Sequence, residues 1–325
     1  MTVRVGVWGV GAWGEKHARV YASLPGVSFS GVYDEQPARA AEVARQYGCR
    51  AFESPDALLA ECDALSIAVP TVHHRACFER AAAAGRHALV EKPLSATVPD
   101  ADAMLKTAQR AGITLQVGQV ERFNPTLIAA RGHLEDPRFV EAHRLALFQP
   151  RSLDIDVVFD LMIHDIDIVL QAVGAYPERV SAVGVAVLSQ REDIANARLE
   201  FPNGCVANLT ASRVSQERLR RVRFFTAERY VSLDLFEKSG EALWVDRARL
   251  DPRAPHTAIR REKLEVVPGE PLTLELAAFI GSLRGEGAGA ASGAEGRDAL
   301  RVAEEVQGAM RLRAAQWAAP SNRAC

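Results

Sequence analysis

The order of apolar and polar positions changes character once along the chain. Up to about residue 118, short apolar runs alternate with longer amphipathic ones. Val3–Trp8, Val27–Tyr33, 64–69, His87–Glu91 and 113–117 are the short runs, and each predicts a strand. The segments between them carry helix signals. Pro37–Tyr47 is Ala-rich and is followed by Gly48, a C-terminal cap. Ser54-Pro55-Asp56 puts an N-cap before a proline at the first helical position. Residues 73–84 end at Gly85, and residues 99–111 end at Gly112. Strand and helix repeated with short connections predict an α/β fold, a doubly wound parallel sheet of Rossmann type.

Beyond about residue 120 the alternation lengthens. Residues 139–148, 180–188, 195–201, 206–214, 221–226 and 230–235 predict strands, and 125–134 and 159–173 predict helices. Phe201-Pro202-Asn203-Gly204 is a hairpin signal. The pattern predicts an α+β domain with a mostly antiparallel sheet covered on one face. Residues 272–283 read as a helix, 285–296 as a mobile Gly/Ala/Ser loop, and 297–317 as a long helix. A chain of 325 residues is long for one core. We therefore divide it into domains at 1–120 and 121–325, with the final helix packing back on the first domain.

Composition narrows the class mainly by exclusion. A formal net charge of −2 gives no reason to expect nucleic acid or anionic lipid as a partner. No run approaches the roughly 20 apolar residues of a membrane span, and the N-terminus lacks a secretory core. The cysteines at 49, 62, 77, 205 and 325 are scattered and show no Cys-x-x-Cys spacing. They predict a reduced cytoplasmic protein with free thiols. Phe224, Phe225, Leu233 and Leu235 predict apolar surface on the outer face of the second sheet. A homodimer or homotetramer through that sheet follows, and the arginine run at 218–223 reads as a solvated or interfacial strand face.

Candidate chemistry begins at Gly9-Val10-Gly11-Ala12-Trp13-Gly14, between the first strand and a helix. Gly9 permits the tight turn, Gly11 a close backbone approach to a pyrophosphate, and Gly14 close packing of helix on strand. The helix start offers N–H groups to phosphates. Asp34 ends the second strand, 20 residues after Gly14. A carboxylate there accepts from ribose hydroxyls and repels a 2′-phosphate, which favours NAD over NADP. Arg39 lies nearby and argues the other way. Pro70 ends the third strand; His74 stands where it can border a cofactor, and His73 reads as water-exposed.

Glu91-Lys92-Pro93 closes the fourth strand on the same edge. Lys92 can there hydrogen-bond an oxygen that changes protonation during hydride transfer. Asp160 and His164 are four apart on a predicted helix and so share a face. Histidine suits general acid/base work, and the carboxylate can orient the ring or bind a substrate hydroxyl. His164-Asp165-Ile166-Asp167 contains metal-ligand types, but neighbouring helical residues diverge and hydride transfer needs no metal, so no metal is expected.

Together, residues 9–14, Asp34, Pro70 with His74, Glu91-Lys92-Pro93, and Asp160 with His164 resemble the Gfo/Idh/MocA family of oxidoreductases, across almost the whole chain. The resemblance implies a Rossmann domain followed by a domain built on an open, mostly antiparallel sheet. It implies NAD(P)-dependent chemistry on sugars, cyclitols or nucleotide sugars. It also implies contact of Lys92 and His164 with the reacting hydroxyl, Asp160 beside them, and Glu91 and Lys92 on the cofactor edge. The family's usual Thr-Pro-Asn is Val69-Pro70-Thr71 here. Residues 118–125, Arg151 and residues 160–167 further resemble a branch that oxidises the 3-hydroxyl of UDP-N-acetylglucosamine, en route to amino sugars of lipid A or surface glycans. That likeness implies Arg122 and Arg151 as diphosphate partners and Asn124 as a sugar contact. The other reading of Arg122 and Asn124 is that they fix a hinge between domains. A dehydrogenase of free sugars or inositols is the alternative activity. A non-enzymatic NAD-binding regulator is the other class, and it has no need of Lys92, Asp160 and His164.

Overall fold

The computed structural model describes residues 2–149, 155–287 and 289–318. Contacts divide the chain into two compact units: residues up to 123 with 269–300, and residues 124–268 with those from 301 on.

The first unit begins with β1 (Val3–Trp8), α1 (Ala12–Ser23), β2 (Val27–Tyr33), α2 (Pro37–Tyr47), β3 (Arg50–Ala51) and α3 (Pro55–Ala60). It continues with β4 (Ala64–Ile67), α4 (His74–Ala83), β5 (His87–Glu91), α5 (Val98–Ala111) and β6 (Leu115–Gly118). The strands lie in the order β6-β5-β4-β1-β2-β3, all parallel. Val5, Val7, Leu65, Ile67, Leu89 and Val90 are fully buried. Cover on both faces is why these strands read as continuous apolar runs. The strand order reverses between β1 and β4, and such sheets bind ligands in the crevice outside the carboxyl ends at that point.

The second unit holds α6 (Pro125–Ala130), β7 (Phe139–Leu145), α7 (Ile163–Val173), β8 (Arg179–Val185), β9 (Ile194–Glu200) and β10 (Val206–Ser212). Then come β11 (Leu219–Phe225), β12 (Arg229–Asp234), β13 (Ser239–Val245) and β14 (Ile259–Lys263). They form one sheet, β14-β13-β12-β11-β7-β10-β9-β8, antiparallel except for the β7–β10 pair. Val140, Ala142, Leu209, Val222 and Phe224 bury one face, against which α7 packs.

The opposite face is not the apolar surface expected. Phe224, Leu233 and Leu235 are buried, because alternate residues of β11 and β12 point inward. Phe225 packs with Phe139 and Tyr230, at ring-centroid distances of 5.5 and 4.9 Å. Around that cluster the face is polar, with Arg223 on Glu141 at 2.7 Å and Arg221 on Asp234 at 3.2 Å. Phe224, Leu233 and Leu235 therefore supply no argument for self-association.

The chain returns to the first unit as α8 (Pro271–Leu283), β15 (Ala291–Ser292), the latter antiparallel to β6, and the start of α9 (Gly293–Ala318), which from residue 301 on belongs to the second unit. The stretch read as a mobile loop thus holds a strand and the first turn of the last helix. Its small residues serve close approach instead. A Cβ on Gly296 would lie 2.4 Å from Val117 Cγ2, and one on Gly293 2.9 Å from Leu115. The Gln116 amide oxygen accepts the Ala290 N–H at 2.9 Å. No helix among the described residues is long and apolar enough to cross a membrane.

Candidate active site

The glycine turn leaves β1 at the crevice. Gly9 takes φ +86°, a conformation open to glycine, beside Ala68 and Val69 at the end of β4. Gly14 fits because it has no side chain: a Cβ there would stand 1.8 Å from the Gly9 carbonyl oxygen. Gly11, the N-cap of α1, has nothing within 4 Å of where a Cβ would point, and no side chain caps the helix. An open cradle in front of uncapped N–H groups fits a pyrophosphate. Ala12 and Trp13 form the first turn, with Trp13 partly exposed under the Lys16 ammonium at 4.3 Å. Gly14→Ala is expected to destabilise the first unit by about 3 kcal/mol, the upper end for overpacking, as backbone is no soft neighbour to displace. Urea unfolding and an NAD titration check it.

Asp34 accepts the Val10 N–H at 2.7 Å and the Gln36 N–H at 2.9 Å, so it ties β2 to the glycine turn. Arg39 donates to the Val10 carbonyl at 2.9 Å and to Glu42 at 2.8 Å, and also pairs with Glu15. Its charge is therefore already met by two carboxylates.

Pro70 caps a short 3-10 turn at the end of β4. His73 is exposed, whereas His74 is buried. The His74 ring nitrogens face the carbonyls of Pro93 at 3.0 Å and Val69 at 2.9 Å. Burial pushes the His74 pKa below the usual histidine value, although both carbonyls pull it upward. His74 thereby links the loop after β4 to the loop after β5. Lys92 is half-buried in that second loop, and the Lys92–Pro93 bond is cis. Glu91 beneath it is buried, accepts the Lys92 N–H at 3.2 Å, and lies 2.9 Å from His17 Nε2. The His17–Glu91 contact, which sequence reading missed, fixes the base of the Lys92 loop from α1.

In the second unit, Asp160 lies in a π-helical turn, Val158–Met162, that leads into α7. The sequence predicted plain α-helix there. Asp156 begins the turn by accepting the N–H groups of Val158 and Phe159 at 3.0 and 3.2 Å. Wider turns of this kind insert one extra residue. His164 follows in the first turn of α7, half-buried. Asp165 is committed elsewhere, to a buried bidentate pair with Arg144 at 2.7 and 2.9 Å. Among the described residues, no group of three His, Cys, Asp or Glu side chains could hold a metal ion.

A cavity of about 170 Å³ opens beside Asp160, lined also by Arg144, Arg213, Arg218, Arg220 and Phe236. These arginines were not singled out in the sequence as ligand groups. The available signal was parity: residues 218 and 220 share the phase of buried Val222 and Phe224 on β11.

Arg122 and Asn124 do not line that cavity. Arg122 is buried on Glu295 at 2.6 Å in the first unit. Asn124 caps α6 through the Thr126 N–H at 3.1 Å and donates to the Leu235 carbonyl at 2.9 Å. The Arg122 contact lies within the first unit and the Asn124 contacts within the second. Arg151 lies outside the described residues.

A glycine turn and an uncapped helix start at the switch point of a parallel sheet form the arrangement of a dinucleotide-binding Rossmann domain. Residues 3–119 match the Gfo/Idh/MocA model described as an oxidoreductase family with NAD-binding Rossmann fold, and residues 126–230 match the family's C-terminal domain. The chain belongs to the Gfo/Idh/MocA oxidoreductase family. It is 42% identical over 306 residues to UDP-N-acetylglucosamine 3-dehydrogenase of Acidithiobacillus ferrooxidans, covering 94% of this chain and 96% of that protein. Two solved structures of that enzyme match with TM-scores of 0.88 and 0.89 at 40% identity, over 96% of this chain and 99% of theirs. The NAD(+)-dependent scyllo-inositol 2-dehydrogenase of Bacillus subtilis is 30% identical over 66% of this chain and 68% of its own.

Proposed function

We propose that this protein uses NAD to oxidise the 3-hydroxyl of UDP-N-acetylglucosamine, giving a 3-keto nucleotide sugar open to transamination. The observation that carries the reading is the 42% identity, over nearly the full length of both chains, to a dehydrogenase of that name. The NAD cradle would be residues 9–14 with Asp34, and Pro70, His74, Glu91 and Lys92 shape its far edge.

Bound NAD supplies the hydride acceptor. The chain's own groups manage the proton and the charge. His164 takes the hydroxyl proton as the carbon–hydrogen bond breaks, a general-base role. Asp160, one turn earlier on the same helical segment, orients the ring or a sugar hydroxyl. Lys92 holds a positive charge against the developing alkoxide, and its partial burial strengthens that field relative to water.

The preference for NAD over NADP rests on charge. A 2′-phosphate near Asp34 would meet that carboxylate together with Glu15 and Glu42, while Arg39 is already paired with the latter two. Asp34→Ala is expected to weaken NAD binding about 10- to 100-fold, the loss of a charge-assisted hydrogen bond, and to narrow the gap to NADP. Fluorescence titration with both dinucleotides measures it; an unchanged NAD affinity contradicts the assignment.

The reaction itself is tested by NADH absorbance with UDP-N-acetylglucosamine, N-acetylglucosamine and inositols in parallel, with a carbonyl trap. Turnover of the free sugars or inositols alone would replace this reading with that of a free-polyol dehydrogenase.

A further inference from the structure

The second sheet changes character at one end. Its inner face is apolar through Val140, Ala142, Leu209 and Val222, and then becomes arginine. Arg144 on β7 stands directly opposite Arg220 on β11, and Arg213 follows the end of β10, beside β7. Like charges directly opposite across two strands are destabilising. Asp165 pairs with Arg144, and Asp193 pairs with Arg213, with all four side chains buried. Arg218 and Arg220 are exposed at the mouth. Four arginines and one carboxylate, Asp160, line the cavity, so cations outnumber anions even with Asp165 and Asp193 counted.

The apolar part of the lining is equally specific. Phe236 and Leu147 are 45% and 41% exposed, unusual for large apolar side chains in a cavity wall. Phe236 is held there by its own hairpin, where the Phe236 and Glu237 N–H groups donate to Asp234 Oδ1 at 3.1 and 3.0 Å. A fixed aromatic face beside guanidinium groups suits a nucleobase next to phosphates. At about 170 Å³ the cavity is below the ~300–1,000 Å³ of pockets that enclose whole ligands. It can take one part of a larger molecule.

Resting on the reaction proposed above, we infer that this cavity binds the nucleoside diphosphate part of the substrate. Arg218 and Arg220 hold the diphosphate, Arg144 and Arg213 form the charged floor, and Phe236 supports the base. Asp160 then marks the direction in which the sugar extends.

The test is calorimetric binding of UDP, uridine and inorganic pyrophosphate to the full-length protein, wild type and R218Q, R220Q and F236A variants. Circular dichroism and thermal unfolding confirm that each variant is folded; Arg218 and Arg220 are both exposed, so either serves if the other fails. R218Q and R220Q are expected to weaken UDP and pyrophosphate about 10- to 100-fold, the loss of a charged hydrogen bond. F236A should weaken UDP and uridine about 2- to 10-fold and leave pyrophosphate unaffected. Wild-type binding of UDP that the arginine variants preserve overturns the inference, as does failure of the wild type to bind either UDP or pyrophosphate. If the arginine variants lose UDP while UDP-N-acetylglucosamine is never turned over, the diphosphate site stands and the proposed reaction fails.

Discussion

Replacing Lys92 with Met is expected to lower kcat about 10²- to 10⁴-fold, and His164→Ala by a similar factor, the range typical of acid/base and charge-stabilising groups. His164→Ala should leave the NAD dissociation constant unchanged, because His164 is not part of the NAD cradle. The two losses should not add, because both groups serve one proton and one alkoxide. The kcat–pH profile separates their roles. An acid limb in the wild type reports protonation of the base, and its disappearance in His164→Ala assigns that base. If instead the limb persists in His164→Ala and vanishes in Lys92→Met, the lysine is the base and the histidine the orienting group.

The second large effect falls on stability. Asp193 is fully buried and accepts five hydrogen bonds. Its Oδ2 takes the N–H groups of Val187, Leu188 and Ser189 at 2.8, 2.6 and 2.9 Å. Its Oδ1 takes the Ser189 hydroxyl at 2.7 Å and Arg213 Nε at 2.9 Å. Asp193→Asn presents an amide to these donors and strands the Arg213 charge. The expected cost is about 3–5 kcal/mol, as for breaking one side of a buried pair. Burial alone would raise the Asp193 pKa, but the surrounding donors and the guanidinium hold it far below the usual carboxylate range. A depressed folded-state pKa gives stability that is fully present above the unfolded value. The difference between wild type and Asp193→Asn should thus stay constant down to about pH 5 and shrink only below about pH 4. Urea unfolding at pH 7, 5 and 3.5 measures it. A difference that already shrinks between pH 7 and 5 contradicts the account.

What the sequence disclosed, and what it withheld, follows from range. The turn at Gly9, Gly11 and Gly14 is local, as are the Ser54 cap and the Gly48 and Gly112 helix ends, and each was readable from a few residues. The first sheet was readable because parallel strands buried on both faces are apolar throughout. The π-turn at Asp160 was not, since the Asp156 cap that opens it serves an α-helix equally well. Short strands escaped for another reason. β15 is two residues long and is specified by glycines that fit against Val117 and Leu115 from far along the chain. The arginines divided along the same line. Arg122 finds Glu295, Arg144 finds Asp165, and Arg213 finds Asp193 only once the chain is folded. From sequence, Arg122 read either as a phosphate ligand or as a residue that fixes the hinge between domains, and 218–223 as a solvated or interfacial strand face. Folding gives Arg122 an internal partner and turns residues 218 and 220 toward the cavity beside Asp160.

The central claim is removal of hydrogen from carbon 3 of a nucleotide sugar by way of NAD. It is tested most directly by incubating the protein with NAD and UDP-N-acetylglucosamine deuterated at carbon 3, and weighing the reduced nucleotide by mass spectrometry. The account predicts reduced NAD heavier by one mass unit, formed about 10²- to 10⁴-fold more slowly by His164→Ala. Unlabelled NADH would place the oxidation at another carbon. No reduced nucleotide, in a protein shown to bind NAD and with the keto product trapped, would contradict the account.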